Sequence, residues 1–271
     1  MWAYYRTHGR DLAWRRTRDP YRILVSEIML QQTQVARVEG YYERFMKQFP
    51  NFASLARVSA ADVLRAWQGL GYNRRALALR AAAKIVVEKY GGKLPRDREA
   101  LESLPGVGPY TAGAVRVFAF GEPDVFVETN IRRVFIHFFF PRAKNVRDEK
   151  LLAYIRRPSG LSKNRKRLSE TEAQRLRKWY YALMDYGAML GVTEKENPNR
   201  RSAHYARQSK FSCSYRELRG KIVRLVLSAK KIPVEKVVSA IPEPKKRILA
   251  IVSGLEREGF LKKEKSYIKI S

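Results

Sequence analysis

Acidic side chains, histidine and cysteine are all scarce in this chain. Of 271 residues, 26 are Asp or Glu against 55 Lys or Arg, three are His and one is Cys. A lone Cys213 excludes an internal disulfide, a four-cysteine zinc site and a cysteine-ligated iron–sulfur cluster. Long apolar runs are missing as well. No stretch approaches the roughly 18 residues that span a bilayer, and the first residues lack the apolar core of a secretion signal. The expectation is therefore no membrane partner and an intracellular location, cytoplasmic and nucleoid-associated if the source is prokaryotic. Sustained two-residue alternation is also absent, which removes a sheet as the main core. Basic charge is what the chain has in abundance, a net +29 spread along its length. Such an excess calls for a polyanion, and nucleic acid fits better than a membrane surface. The length allows about two domains and an ample core.

The most informative stretch is Leu104-Pro105-Gly106-Val107-Gly108-Pro109-Tyr110-Thr111, followed by Glu128-Thr129-Asn130. Residues 99–103 read as the end of a short helix, and Pro105 to Gly108 as a tight hairpin. Its glycines permit positive φ and the close approach of a bulky partner. Pro109 suits the first position of a new helix running to about Phe120, because its missing N–H is no loss there. Amides of the hairpin and helix start, with the helix dipole behind them, make an anion site, and DNA phosphate is the expected anion.

Elsewhere the punctuation is helical. Residues 1–8 form a helix-compatible aromatic segment stopped by Gly9, and a basic connection with Trp14 follows. Asp19-Pro20 marks a helix start, and that helix is expected to run on through Ile28 and Met29 to Val35. It would set Glu27, Gln31 and Gln34 on one stripe. Further helices are expected at 39–48, from Ser59 as a cap, at 74–90 after the turn Gly69-Leu70-Gly71-Tyr72, at 151–157, and from Glu170 to near Gly187. Residues 158–169 read as a basic loop and 191–210 as irregular. His137, in an apolar aromatic segment, reads as a core residue. Three short helical patterns at 218–227, 234–240 and 245–258 precede a small hairpin at 259–270. That order is a winged helix–turn–helix.

Two carboxylates, Glu27 and Glu128, flank the hairpin in sequence. Paired carboxylates cleave glycosidic bonds, one protonating the leaving group and the other stabilising the sugar cation. A nucleobase on deoxyribose is an N-glycoside, reached in a duplex by flipping the base out. Gln31, Gln32 and Tyr72 are suited to fill the gap left in the stack. Glu27, among apolar helix neighbours, is expected to stay protonated, and Glu128, near Asn130 and arginines, to stay charged.

The strings Ser26-Glu27-Ile28-Met29-Leu30-Gln31-Gln32-Thr33-Gln34-Val35, Gly69-Leu70-Gly71-Tyr72 and Leu104-Pro105-Gly106-Val107-Gly108 resemble the helix–hairpin–helix (HhH-GPD) DNA glycosylase superfamily, and within it the MutY-type adenine glycosylases, over roughly residues 4–190. The resemblance implies an all-α, two-domain helix–hairpin–helix fold, to which the C-terminal pattern adds a small winged helix–turn–helix. Its expected parts are a bundle at 13–122, a second helical domain from 1–12 and 123–212, and the winged module at 213–271. It implies Glu27 as general acid, Gln32 and Tyr72 as inserted residues and Thr33 beside the opposing base. Tyr110 stands where lyase relatives carry lysine, implying a monofunctional enzyme, and Asn130 would orient the second carboxylate. Leu104, Gly106, Val107, Gly108 and Thr111 would meet the DNA backbone, and Gln31 the base stack. Double-stranded DNA with a mispaired base is the expected partner of a monomeric chain. No cofactor is expected, although the hairpin carbonyls suit a monovalent cation.

Three features depart from that family. Its second carboxylate is an aspartate, here Glu128. Its iron–sulfur cysteines are absent, with Gly191 at the first position. Its MutT-like domain is replaced by residues 214–271. Three functions follow: adenine excision from mispairs, removal of thymine or uracil opposite guanine, or DNA binding by a core without catalysis.

Overall fold

A computed structural model describes residues 1–156, 168–206 and 214–271. Its first helices are α1 (Trp2–His8), α2 (Pro20–Leu30), α3 (Val35–Gln48), α4 (Phe52–Arg57), α5 (Ala60–Ala66) and α6 (Arg74–Tyr90). Then come α7 (Arg98–Glu102), α8 (Pro109–Phe118), α9 (Thr129–Phe139), α10 (Asp148–Arg156) and α11 (Glu170–Thr193). The C-terminal part holds α12 (Tyr215–Ala229), β1 (Lys231–Pro233), α13 (Val234–Ala240), α14 (Lys245–Arg257), β2 (Leu261–Glu264) and β3 (Tyr267–Ile270). No helix among the described residues is long and apolar enough to cross a membrane. Most of the basic loop read at 158–169, and Cys213, lie outside the described residues.

The chain divides into two compact units, one of Met1–Ile28 with Leu94–Arg207 and one of Met29–Lys93 with Gln208–Ser271. In the first, α11 packs on α9, and with α8 and the segment after it encloses an aromatic core. Phe126 stacks on Tyr180 with ring centroids 4.1 Å apart, and Phe118 on Tyr181 at 4.7 Å. The helix expected to stop near Gly187 instead continues to Thr193. A β-carbon on Gly187 would lie 2.1 Å from the Asn130 carbonyl oxygen, so this glycine admits the backbone of α9 and does not end its own helix. Asp185, also on α11, is buried and takes charged hydrogen bonds from Arg10 Nε (2.6 Å) and from both terminal nitrogens of Arg15 (2.8 Å each).

In the second unit, α3, α5 and α6 bury Phe45, Trp67, Leu79 and Val86. Helix α4, unforeseen in the sequence, opens with a reciprocal cap between Asn51 and Ser54. Ser59 caps α5 as expected. The C-terminal helices carry a three-stranded antiparallel sheet in the order β1-β3-β2. Strand β1, which the sequence pattern did not announce, pairs with β3, setting Ile232 opposite Ile268. Three residues are too few to show an alternating pattern.

Candidate active site

Asp19 accepts from the amides of Tyr21 (2.8 Å) and Arg22 (3.2 Å), and Pro20 follows it, so α2 starts where expected. Ile23, Leu24, Val25 and Ile28 are fully buried along it, and Glu27 sits among them at 4% exposure. The hairpin then delivers its partner. Gly106 takes φ +81°, while Gly108 is extended and caps α8 ahead of Pro109. Only one of the two glycines thus uses the left-handed region. Leu104, Val107 and Thr111 are buried, whereas Gly106 and Gly108 are exposed, so of the five expected backbone contacts only the two glycines lie at the surface.

At the second residue of α8, Tyr110 donates its hydroxyl to Glu27 Oε2 at 2.5 Å. Loss of hydration lifts the Glu27 carboxyl to about 7, overcoming the Tyr110 bond, which pulls it down, and reinforced by the charge of Glu128. The same burial pushes the Tyr110 hydroxyl well above its ordinary value, so it remains a donor through the neutral range.

The segment leading to Glu128 is held by charge. Asp124 takes bonds from Arg98 (2.5 Å) and Arg116 (2.7 Å), and its carbonyl accepts from Tyr180 at 3.1 Å. Glu128 then caps α9, its Oε1 accepting from the amides of Asn130 and Ile131 at 2.8 Å each. Asn130 Nδ2 lies 3.3 Å from the second oxygen, Oε2. Desolvation raises the Glu128 carboxyl too, against those amides and the charges of Arg132 and Arg133. The environments of the two carboxylates are therefore less opposed than the sequence suggests: both are desolvated, and what sets Glu128 apart is its two amide donors.

Arg133, on the same helix, donates to Asn130 Oδ1 (2.9 Å), to Asn197 Oδ1 (3.1 Å) and to the Gly187 carbonyl. A β-carbon on Gly191 would lie 2.5 Å from its guanidinium. A cysteine at that position would displace Arg133, and the chain has one cysteine in all, so these residues do not fit a four-cysteine cluster.

The polar residues after Glu27 lie in the second unit, where the structure corrects the expected stripe. Helix α2 ends at Leu30 and α3 starts at Val35, so residues 31–34 form a turn and Gln31 and Gln34 do not continue the Glu27 face. The cause is distant in sequence. Arg75 is buried and donates to the carbonyls of Met29 (2.7 Å), Gln31, Gly71 (3.0 Å) and Tyr72 (3.4 Å) and to Thr33 Oγ1 (2.9 Å). One guanidinium thereby joins the turn of Gln31, Gln32 and Thr33 to the turn of Gly71 and Tyr72. Gln32 (φ +55°) and Tyr72 (φ +49°) both adopt left-handed backbone, unusual for non-glycine residues.

A hairpin between helices with a desolvated acid bonded to a tyrosine, and a second carboxylate capping a helix, define the class as a helix–hairpin–helix fold with a carboxylate site. The pattern described as "HhH-GPD superfamily base excision DNA repair protein" matches residues 25–157, just under half of the chain, which over that span is similar to that superfamily. Adenine DNA glycosylase of Mycobacterium tuberculosis is 46% identical over 133 residues, 49% of this chain and 44% of that relative. The chain thus spans less than half the length of that relative. Thymine/uracil-DNA glycosylase of Methanothermobacter thermautotrophicus is 37% identical over 138 residues, 51% of this chain and 62% of the relative. A solved structure of a thermostable thymine-DNA glycosylase superposes with a TM-score of 0.55 at 29% identity, covering 74% of this chain and 88% of that one.

Proposed function

We propose that this chain is a monofunctional DNA glycosylase of base excision repair that flips a mispaired base, adenine opposite a guanine-type base, and hydrolyses its N-glycosidic bond. The observation that carries the reading is the Glu27 carboxyl, desolvated, lifted to about 7 and held by Tyr110. A carboxyl in this range is partly protonated at neutral pH and is matched to delivering a proton to a departing base. Glu128, with two amides on Oε1, offers Oε2 towards the positive charge that develops on the sugar. The tyrosine gives no amine for a Schiff base, so water is the acceptor of the sugar and the product is an abasic site. DNA would be gripped at the exposed Gly106 and Gly108 backbone, and the strained turns of Gln32 and Tyr72 would occupy the stack. The basic C-terminal module would add backbone contacts.

The test is a panel of duplexes with adenine, thymine or uracil opposite each base, incubated with the protein and then treated with alkali. Alkali-dependent breakage at adenine opposite guanine or 8-oxoguanine is expected. Breakage without alkali, or trapping of a covalent adduct by borohydride, overturns the monofunctional reading. Resemblance to the thymine/uracil relative, with the fold match to a thymine-DNA glycosylase, favours a second reading, excision of thymine or uracil opposite guanine. The same panel separates the two, and no cleavage of any duplex would leave a binding protein.

A further inference from the structure

The C-terminal module is attached to the strained turn of Tyr72, and the attachment is a cation. Arg216, in the first turn of α12 and 144 residues from Tyr72, donates to its phenol oxygen. Its guanidinium carbon lies 5.5 Å from the Tyr72 ring centroid, and that of Arg75 lies at the same distance. Arg75 is spent on the turn carbonyls, so its role there is to hold the backbone. Arg216 touches the tip of the side chain instead. A second tie, from Arg65 on α5 to the Leu227 carbonyl at the far end of α12, fixes the helix along its length. A tyrosine in left-handed backbone, flanked by two guanidiniums in so basic a chain, is a platform for a nucleobase, which stacks on both aromatic rings and arginine planes.

We propose that Arg216 is a specificity-determining residue that follows Tyr72 to the DNA and reads the base left unpaired opposite the flipped one, preferring guanine-type purines. The inference rests on the reading above that Tyr72 enters the stack. Arginine presents two donors in a fixed fork, and a guanine edge presents O6 and N7 as paired acceptors, an arrangement no pyrimidine offers. The C-terminal module then supplies recognition of the opposing base, not only grip on the backbone.

The experiment measures equilibrium binding of the full chain to duplexes with a tetrahydrofuran abasic analogue opposite guanine, cytosine or thymine, and to undamaged duplex. Binding to the analogue needs no catalysis. The wild type is expected to favour guanine over the pyrimidines by about tenfold, Arg216→Ala to lose most of that preference, and Arg216→Lys to fall between. Affinity of Arg216→Ala for undamaged duplex should stay within about twofold of wild type. A double-mutant cycle with Tyr72→Phe should show coupling on the guanine duplex alone. No preference in the wild type, a preference kept in Arg216→Ala, or an equal loss on every duplex overturns the proposal, the last pointing to a phosphate contact. If the wild type shows the preference but excises no base from the mispair panel, the glycosylase reading fails and the role of Arg216 stands.

Discussion

Tyr110 and Glu27, 83 residues apart, meet through a 2.5 Å hydrogen bond from the phenol to the carboxylate. The bond stabilises the charged form of Glu27, while burial favours the neutral form and prevails. Removing the phenol oxygen with Tyr110→Phe takes away the opposing pull. The apparent pKa on the alkaline limb of the single-turnover pH profile should then rise by about one pH unit, since a hydrogen bond to a charged group contributes about 1.5–3 kcal/mol. The excision rate at pH 6 should change little. A pKa that stays in place would show that Tyr110 does not govern the acid.

A raised carboxyl also costs stability. Glu27 has a folded value of about 7 against an ordinary 4.5. Its proton is therefore held more tightly in the folded state. The favourable contribution is complete below about pH 4.5 and is lost as pH rises towards 7. Glu27→Gln should accordingly stabilise the protein by up to about 3 kcal/mol at pH 8 and by almost nothing at pH 4.5. Thermal melts at the two pH values check this. An equal shift at both would mean that Glu27 is not desolvated.

Asp185 carries the opposite sign. Burial favours its neutral form, but the Arg15 and Arg10 bonds outweigh it and hold the carboxyl below its ordinary value. The stabilisation is present above about pH 3.8 and disappears as pH falls through the folded value. Arg15 is itself largely buried beside it. Asp185→Asn should destabilise by about 3–5 kcal/mol at neutral pH, because it leaves an uncompensated buried cation. The melting deficit against wild type should shrink in acid.

What could be read in the sequence was what local chemistry announces. Asp19-Pro20, Ser59 and Gly108-Pro109 each carry their own start signal, and the helices at 74–90 and 109–118 follow from such signals. Glu27 and Glu128 were legible as a pair of acids, although Glu128 acting as a helix cap was not, since the residues that usually cap are shorter. Illegible features depend on partners distant in the chain. The break at residues 31–34 is enforced by Arg75, and nothing in the apolar spacing of 20–35 marks it. Gly187 carries the sequence signature of a helix end, and only the backbone of Asn130 against it shows otherwise. The Asp185 cluster and the Arg216 contact join residues 144 or more positions apart.

Close approach at Gly187 makes a further test. A β-carbon there would lie 2.1 Å, 2.6 Å and 2.9 Å from the oxygen, carbon and Cα of Asn130, all backbone atoms that cannot rotate away. Gly187→Ala must separate α9 from α11, at a cost of about 1–3 kcal/mol or more. Because Asn130 donates its amide to Glu128, the excision rate should fall with stability. Gly220→Ala, inside α12 with open space around it, is the control: it should leave the rate unchanged and, if anything, stabilise by about 0.5–1 kcal/mol through helix propensity.

The second carboxylate is tested by three variants read together. Glu128 uses Oε1 for the amides of Asn130 and Ile131, so its cap contributes to α9 whatever its chemistry. Glu128→Gln keeps an acceptor for those amides and removes the charge. Glu128→Asp keeps the charge and is a stronger cap, but retracts the carboxylate by about one C–C bond, roughly 1.5 Å. Glu128→Ala removes both. If Glu128 stabilises positive charge on the sugar, Glu128→Gln should lower the single-turnover rate by about 10²–10⁴-fold with DNA binding intact. Glu128→Asp should lower it less, and Glu128→Ala should add a stability loss of about 1 kcal/mol. A purely structural cap predicts instead that Glu128→Gln is nearly silent, Glu128→Asp silent or stabilising, and only Glu128→Ala impaired. Equal rates for Glu128→Gln and wild type would therefore leave Glu128 as a helix cap and move the second charge elsewhere.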